Sequence, residues 1–338
     1  MNANAPAVTS AATRVPIGAA GHEEPRGLGL VNYFACFRGI VWREVLRYLH
    51  QRERFFSALV RPMIWLFIFA AGFRQTLGVS IIPPYQSYVL YEEFIMPGLI
   101  GMILLFNAMQ SSLSMVYDRE TGAMRTLLVS PFPRSFLLLS KLLGGVCVAL
   151  LQVYAFLLVA YFWEITPGTF QDVSLFTMFD PAPWFSGGGI SEPIITPLFS
   201  VPGWAQPFAG YITVVPALIL AGLMLGSLAL FMSSVIKQLE NFAGVMNFVI
   251  FPMFFASSAL YPLWRIREAS PLLYEICRLN PFTYGVELIR FGFYGQIDTV
   301  SLLVVTACTI VFLAAAVFAY NPSKGLIARR GGPGGSAA

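Results

Sequence analysis

Residues 118–131 read Asp118-Arg119-Glu120-Thr121-Gly122-Ala123-Met124-Arg125-Thr126-Leu127-Leu128-Val129-Ser130-Pro131. Two long apolar runs enclose this charged segment. The run before it, 94–116, has no charged residue; the run after it, 137–163, has Lys141 near its start and no other charge. A helix crosses the hydrocarbon of a bilayer with about 20 apolar residues. Both runs are long enough, so the charged segment is the loop that joins two membrane spans.

The composition extends that reading to the whole chain. Of 338 residues, 57% are hydrophobic and 11% charged, against about 25% charged in a soluble domain. Aromatic residues reach 15%, as interfacial rings require. The prediction is an all-α integral membrane protein with six transmembrane helices, at about 57–79, 94–116, 137–163, 208–235, 242–263 and 299–320. The first is interrupted by Arg61-Pro62 and has Arg74 near its end; both arginines can snorkel to the interfaces. Cys36, Cys147, Cys277 and Cys308 have no CxxC spacing and read as small core residues. With only His22 and His50, no zinc site is expected.

Residues 1–31 are rich in Ala, Pro and Gly and read as a disordered cytoplasmic tail without an apolar signal-peptide core. Residues 326–338 read as a flexible cytoplasmic end. Between 32 and 56, Phe34, Phe37, Val41, Val45 and Leu49 recur at helical spacing, while Arg38, Arg43, Arg47, Arg52 and Arg54 occupy other faces. This fits a basic amphipathic helix in the membrane interface or a helix packed on a partner. The segment 164–207 contains seven prolines and four acidic residues but no Lys or Arg; it is read as an external insert.

Orientation follows from charge. With six crossings and both termini in the cytoplasm, 16 of the 21 Lys and Arg lie inside, Arg61 counted with the front end. Arg74, Arg265, Arg267, Arg278 and Arg290 lie outside. The opposite arrangement reverses the excess and violates the positive-inside rule. The 118–136 loop is therefore placed inside, and 164–207 and 264–298 outside.

The spans contain no paired carboxylates, no H-E-x-x-H and no G-x-S-x-G, so membrane enzymology is disfavoured. No Asp, Glu or His relay for proton coupling is present, and no G-x-x-x-x-G-K-[ST] phosphate loop. If the chain moves a solute uphill, another subunit supplies the free energy. The segment 119–128 can form about three helical turns, with Gly122 allowing close approach of another surface. Ser130-Pro131 ends the helix, because the residue before a proline is pushed out of the α region. Such a helix can pass on a push from a cytoplasmic motor. It can equally be a plain solvated connection.

The external segment 264–298 breaks into two short helices at Asn280-Pro281, with Asn280 as cap and Pro281 as first helical residue. Glu275, Arg278, Glu287 and Arg290 are mixed in sign and can pair. The segment reads as a re-entrant helical hairpin before the last span, or as an ordinary external pair of amphipathic helices.

These two segments carry a resemblance. Glu120-Thr121-Gly122 followed by Leu127-Leu128-Val129-Ser130-Pro131 is similar to the coupling segment of ABC-2 type exporter permeases. Leu279-Asn280-Pro281-Phe282-Thr283-Tyr284 and Arg290 resemble that family's segment before the last span. The resemblance covers about residues 32–325, read as one ABC-2 type transmembrane domain. It implies the membrane subunit of an ATP-driven exporter, not itself catalytic, in a bacterial inner membrane. It further implies a homodimer or a pair with a similar permease, docked on two ATP-binding subunits that hold ATP and magnesium; this chain needs no cofactor and no nucleic acid.

The resemblance places Arg119, Glu120, Gly122, Arg125, Leu127, Leu128, Ser130 and Pro131 in a groove of the ATPase. It assigns Asn280, Pro281, Tyr284, Glu287 and Arg290 to the hairpin. A substrate path at the permease–permease interface would involve Phe67, Asn107, Gln110, Asn247 and Phe251. The amides among these serve equally as hydrogen-bond glue between helices. The long insert and Tyr91-Glu92-Glu93-Phe94-Ile95-Met96-Pro97-Gly98 resemble permeases found beside PQQ-dependent alcohol dehydrogenases. That likeness implies a periplasmic partner touching 164–207; a tolerated surface insertion is the alternative. The competing function is a non-transporting membrane anchor for a periplasmic enzyme complex. Few polar groups in the spans suit an amphipathic or lipid-like cargo and lipid-facing helices alike.

Overall fold

A computed structural model describes residues 29–50, 52–73, 84–85, 89–120, 132–162, 174–175, 177–179, 199–200, 206–236 and 238–319. The expected tails, 1–28 and 320–338, lie outside the described residues. So do 121–131 and most of the insert.

Among the described residues the chain is helical almost throughout. The helices are α1 (Leu30–His50), α2 (Arg52–Phe73), α3 (Tyr91–Glu120), α4 (Arg134–Phe162), α5 (Gln206–Thr213), α6 (Val215–Val235), α7 (Leu239–Phe255), α8 (Leu263–Ala269), α9 (Pro271–Leu279), α10 (Pro281–Phe293) and α11 (Thr299–Ala319). Four stretches are long and apolar enough to cross a membrane: Tyr91–Asp118, Ser135–Phe162, Phe208–Val235 and Thr299–Ala319. Two shorter apolar helices, Ala58–Ile68 and Leu239–Phe255, lie where the first and fifth spans are expected.

In the stretch Phe208–Val235, Pro216 has no N–H to donate back along the helix, and α5 gives way to α6 at Val214. α6 is apolar on every side and sits at the centre, packed on α3, α4, α10 and α11, as an all-round hydrophobic helix must. Small residues let neighbours approach it. Val146 of α4 rests on Gly222, and Leu142 lies over Gly226. Without a hydrophobic drive between helices in lipid, close packing of this kind carries association. Ser227 and Ser233 are fully buried and donate to the carbonyls of Met224 and Leu230, at 2.8 and 2.9 Å, so they carry no orphan polar atom.

Two boundaries differ from the sequence reading. The expected front helix, 32–56, is described as α1 up to His50 and, past residue 51, which lies outside the described residues, as the start of α2, with Arg52 and Arg54. α2 packs on α3 while α1 packs on α4. α3 runs unbroken through Arg119 and Glu120, which therefore close the second span's helix and do not open a separate one. The expected fifth span, 242–263, stops being helical at Phe255, and its last residues turn through Ala256–Tyr261 into α8.

Four short strands complete the chain: β1 (Ser174–Leu175), β2 (Thr177–Phe179), β3 (Phe199–Ser200) and β4 (Gln296–Asp298). β1 pairs antiparallel with β3. β2 pairs parallel with β4, Thr177 opposite Gln296 and Phe179 opposite Asp298. The insert is thus tied by backbone to the residues between α10 and α11, at the same end of the bundle. Gly295 makes the turn into β4 with φ 63°, a left-handed conformation that glycine adopts without strain. Asp298 then caps α11, accepting from Val300 N at 3.3 Å and Ser301 N at 3.1 Å.

At that end α3 also meets the turn after α7 at van der Waals limit. A Cβ on Gly98 would lie 2.4 Å from the carbonyl oxygen of Ala259 and 2.8 Å from its Cα. Both obstacles are backbone and cannot rotate away. Gly98→Ala is expected to destabilise the protein by about 1–3 kcal/mol. Gly39→Ala on α1, where a Cβ meets nothing within 4 Å, should be neutral or stabilising by up to about 1 kcal/mol. Thermal unfolding of the two variants in detergent checks the difference.

Candidate functional site

The 121–131 segment lies outside the described residues, and with it Gly122, Arg125, Leu127, Leu128, Ser130 and Pro131. Its mount is described. At its near end Asp118 accepts from Lys141 Nζ at 3.1 Å, joining the last turn of α3 to the second turn of α4. The Lys141 side chain is only 8% exposed and that of Asp118 21%. A lysine in an apolar run needs such a partner, since an unpaired ammonium out of water costs several kcal/mol. At the far end Phe132 and Phe136 stack edge-on against Tyr33 of α1, with centroids 5.2 and 5.0 Å away. The loop therefore springs from a base shared by three helices.

α1 is held there by polar contacts. Glu44 and Tyr48 are its buried residues. Tyr48 donates to Gln152 Oε1 of α4 at 3.0 Å, and Asn107 of α3 donates to the same oxygen. Glu44 carries ion pairs with Arg43 at 3.2 Å and Arg47 at 3.8 Å. Its methylenes lie where a Cβ on Gly144 would reach 3.3 Å. The opposite face of α1 leaves Val31, Phe34, Trp42 and Leu49 exposed. An apolar outer face and polar inner contacts suit a helix lying at a membrane surface.

The residues expected along a substrate path divide. Asn107 and Gln110 line a polar recess between α1, α3 and α4, with Glu44, Arg47, Tyr48 and Ser111. Asn107 is buried; its bond to Gln152 joins α3 to α4, and its bond to Ile103 O at 3.1 Å stays within α3. Phe67 on α2, and Asn247 and Phe251 on α7, are exposed on the outer surface of the single chain.

The Asn280-Pro281 corner is built as its sequence predicts. Asn280 Oδ1 accepts from Phe282 N at 3.0 Å, capping α10, and Pro281 is the first helical residue. Its Nδ2 donates to two carbonyls at the end of α7, Met253 O and Ala256 O, both at 2.7 Å. Thr283 Oγ1 closes the corner on Cys277 O at 2.7 Å. Tyr284 is half-buried against the core. Where two half-helices are expected, three short ones stand, α8 to α10.

Arg290 is 3% exposed and forms a second hub. It pairs with Glu287, donates to Ser258 O at 3.0 Å, and lies 4.2 Å from the ring centre of Phe94. Tyr85 packs beside it, edge-on to Tyr294 at 5.3 Å; burial pushes its phenol above its ordinary range. Arg61 of α2 likewise covers the ring of Phe106 at 4.0 Å, a cation–π contact. Sequence reasoning missed the Asp118–Lys141 pair, Gln152 and the Phe94–Tyr85 surroundings of Arg290. Lys141 and Gln152 were readable signals, as polar residues inside an apolar run.

A family model described as ABC-2 type transporter matches residues 35–179 and 193–294. The chain belongs to the ABC-2 type transporter family. The inner membrane transport permease YadH of Escherichia coli (strain K12) is 26% identical over 286 residues, covering 84% of this chain and 92% of YadH. Proteins carrying the name transport permease ycf38 are 23% identical over 263 residues in Porphyra purpurea, with 77% of this chain and 74% of the relative covered. The Cyanophora paradoxa ycf38 is 26% identical over 244 residues, with 70% and 66% covered. The chain is thus a transmembrane permease. The family pattern skips 180–192, inside the insert. The narrower likeness to permeases beside alcohol dehydrogenases finds no support in these matches.

Two predictions follow from the site's geometry. Asn280→Asp keeps the acceptor for Phe282 N but loses both tethers to α7 and sets a carboxylate against two carbonyls. At roughly 1 kcal/mol per hydrogen bond, a loss of about 2–3 kcal/mol is expected in thermal unfolding. Aspartate being as good a cap as asparagine, a native-like Asn280→Asp would show that only the cap matters. Asp118→Asn should cost more than Lys141→Met, because the first strands a buried ammonium and the second leaves a carboxylate that still reaches water. Unfolding midpoints of the two single variants decide the order.

Proposed function

We propose that this permease is the membrane subunit of an ATP-binding-cassette exporter. In this reading the chain crosses a bacterial inner membrane six times with both termini in the cytoplasm. Two ATP-binding subunits, which hold ATP and magnesium, dock on the 119–131 segments of two permease copies. The observation that carries the proposal is the family match across 35–179 and 193–294. Support comes from the excess of Lys and Arg on the side of the termini and the 118–136 loop, and from the absence of a phosphate loop in the sequence.

The segment bearing Arg119, Glu120, Gly122, Arg125, Leu127, Leu128, Ser130 and Pro131 transmits the ATPase stroke. Its base, clamped by Asp118–Lys141 and by the Tyr33–Phe132–Phe136 rings, favours rigid transmission over a slack connection. The hairpin α8–α10, bearing Asn280, Pro281, Tyr284, Glu287 and Arg290, re-enters the outer leaflet, and the insert 164–207, whose strand β2 pairs with β4, is available to a periplasmic partner. The two copies meet along α2 and α7, where Phe67, Asn247 and Phe251 are exposed on the single chain. An amphipathic or lipid-like small organic substrate passes there.

Affinity purification from cells that co-express the neighbouring ATPase tests the docking segment. The native permease is expected to retain the ATPase. Leu127→Asp with Leu128→Asp, which leaves the described helices untouched, is expected to lose it at least tenfold. Full retention by the double variant would overturn the assignment of 119–131 as the docking segment.

A further inference from the structure

Both sequence motifs act on one helix. At the end of the bundle that carries the 121–131 segment, Glu120 Oε1 accepts from the backbone N–H of Leu239, the first residue of α7, at 2.8 Å. At the other end, Asn280 Nδ2 donates to Met253 O and Ala256 O, in the last turn of α7 and just past it. Neither bond comes from α7 itself. Gln238, at its N-cap, makes no capping bond to the helix, and its side chain accepts from Asn241 at 2.7 Å. The first N–H groups and last C=O groups of a helix have no partner within it. α7 borrows them from α3 at one end and from the α9–α10 corner at the other.

The bond to Glu120 is solvent-exposed, and electrostatics favours it. Glu120 is the last residue of α3, where the negative end of the helix macrodipole disfavours a carboxylate. Its favourable partner is the positive end of α7, which a charged acceptor satisfies better than a neutral one. Along its length α7 packs on α3. Phe242, Ile250 and Phe254 are buried, whereas Asn247, Phe248, Phe251 and Phe255 are exposed. A helix of 17 residues is a rod of about 25 Å, tied at both ends by side chains of other elements.

We propose that α7 is a strut, and that Glu120 and Asn280 are the positioning residues that couple its ends. A shift of the 119–131 segment is carried by the Glu120 carboxylate to the first turn of α7. Asn280 then carries the shift to the α9–α10 corner, on the far side of the bundle. Within that segment Glu120 is the residue that reaches α7, through the Leu239 N–H. The proposal rests on the reading of 119–131 as the segment an ATPase grips.

The test uses the full permease with its ATP-binding subunit in lipid nanodiscs. Its four cysteines are replaced by alanine, and Leu272→Cys is placed at the exposed start of α9. The probe is the rate of reaction with a charged maleimide, with and without vanadate trapping of ATP. The native chain is expected to show at least a threefold change on trapping. In Glu120→Ala complexes isolated with the ATPase subunit still bound, the labelling rate should no longer respond. Asn280→Asp should behave alike, and Glu120→Gln, which retains an acceptor oxygen, should restore at least half of the response.

Adding Gln238→Asp to Glu120→Ala recaps α7 from its own N-cap. It should recover thermal stability without recovering the response, which separates coupling from mere helix stability. The strut is overturned if Glu120→Ala responds like the native chain, if Gln238→Asp restores the response, or if the native corner does not respond while ATP is hydrolysed. Release of the ATPase by Glu120→Ala but not by Glu120→Gln would make Glu120 a docking residue, and the strut again fails while the exporter reading stands. A native permease that retains no ATP-binding subunit sinks the exporter reading itself, and the strut with it.

Discussion

A helix that ends inside a protein and away from water must find partners for its terminal N–H and C=O groups. The architecture of this permease follows from how that demand is met. α10 is capped by Asn280 and α11 by Asp298, each a residue next to the helix it serves. α7 differs, because its ends are satisfied by Glu120 and Asn280, 119 and at least 24 residues away in sequence. A local cap makes a helix stable alone. A borrowed cap makes two elements move together or not at all. The segment before the last span and the loop after the second thus converge on the fifth.

The buried charges obey the same logic. Lys141 and Arg290 are 6% and 3% exposed, and each has a carboxylate within reach. Lys141 has Asp118. Arg290 has Glu287, the Ser258 carbonyl and the face of Phe94. Guanidinium suits the second site, since its plane can lie on a ring while its edge donates. Ammonium suits the first, where one carboxylate and a tight helix crossing leave room for a point charge. Both sites join elements that are distant in sequence. Their value lies in fixing one arrangement of helices, because a pair removed from water contributes little net stability.

Much of this was legible in the sequence, for identifiable reasons. The apolar runs gave the long helices, since length and composition alone decide whether a helix can cross a bilayer. The Asn280 cap with Pro281 was legible because it is a local rule. The extent of the helix of the second span was misjudged, because Arg119 and Glu120 look like loop residues by sequence, although α3 runs through both. The fifth span was placed eight residues too long, since Ser257, Ser258 and Ala259 are apolar enough to continue a helix. They are turned aside by contacts from Asn280, Arg290 and Gly98 that no local pattern records. Pairing of the insert strand β2 with β4 joins residues 119 apart in register, beyond any reading by periodicity.

The exposed surfaces of the bundle differ in kind, and the difference bears on what covers them. α11 shows Leu303, Ile310, Val311 and Phe318, and only 11% of its apolar stretch is buried. Lipid chains satisfy such a face completely. α7 shows Phe248, Phe251 and Phe255 together with the amide of Asn247. An amide facing hydrocarbon without a partner costs several kcal/mol, and so does any polar group that the bilayer core cannot hydrogen-bond. The α7 face is therefore costly in lipid and becomes favourable against a protein or a water-lined path. The proposed meeting of two copies along α2 and α7 supplies both. In that arrangement the exposed side of α7 is left for the partner copy, while Glu120 and Asn280 tie its ends to α3 and to the α9–α10 corner.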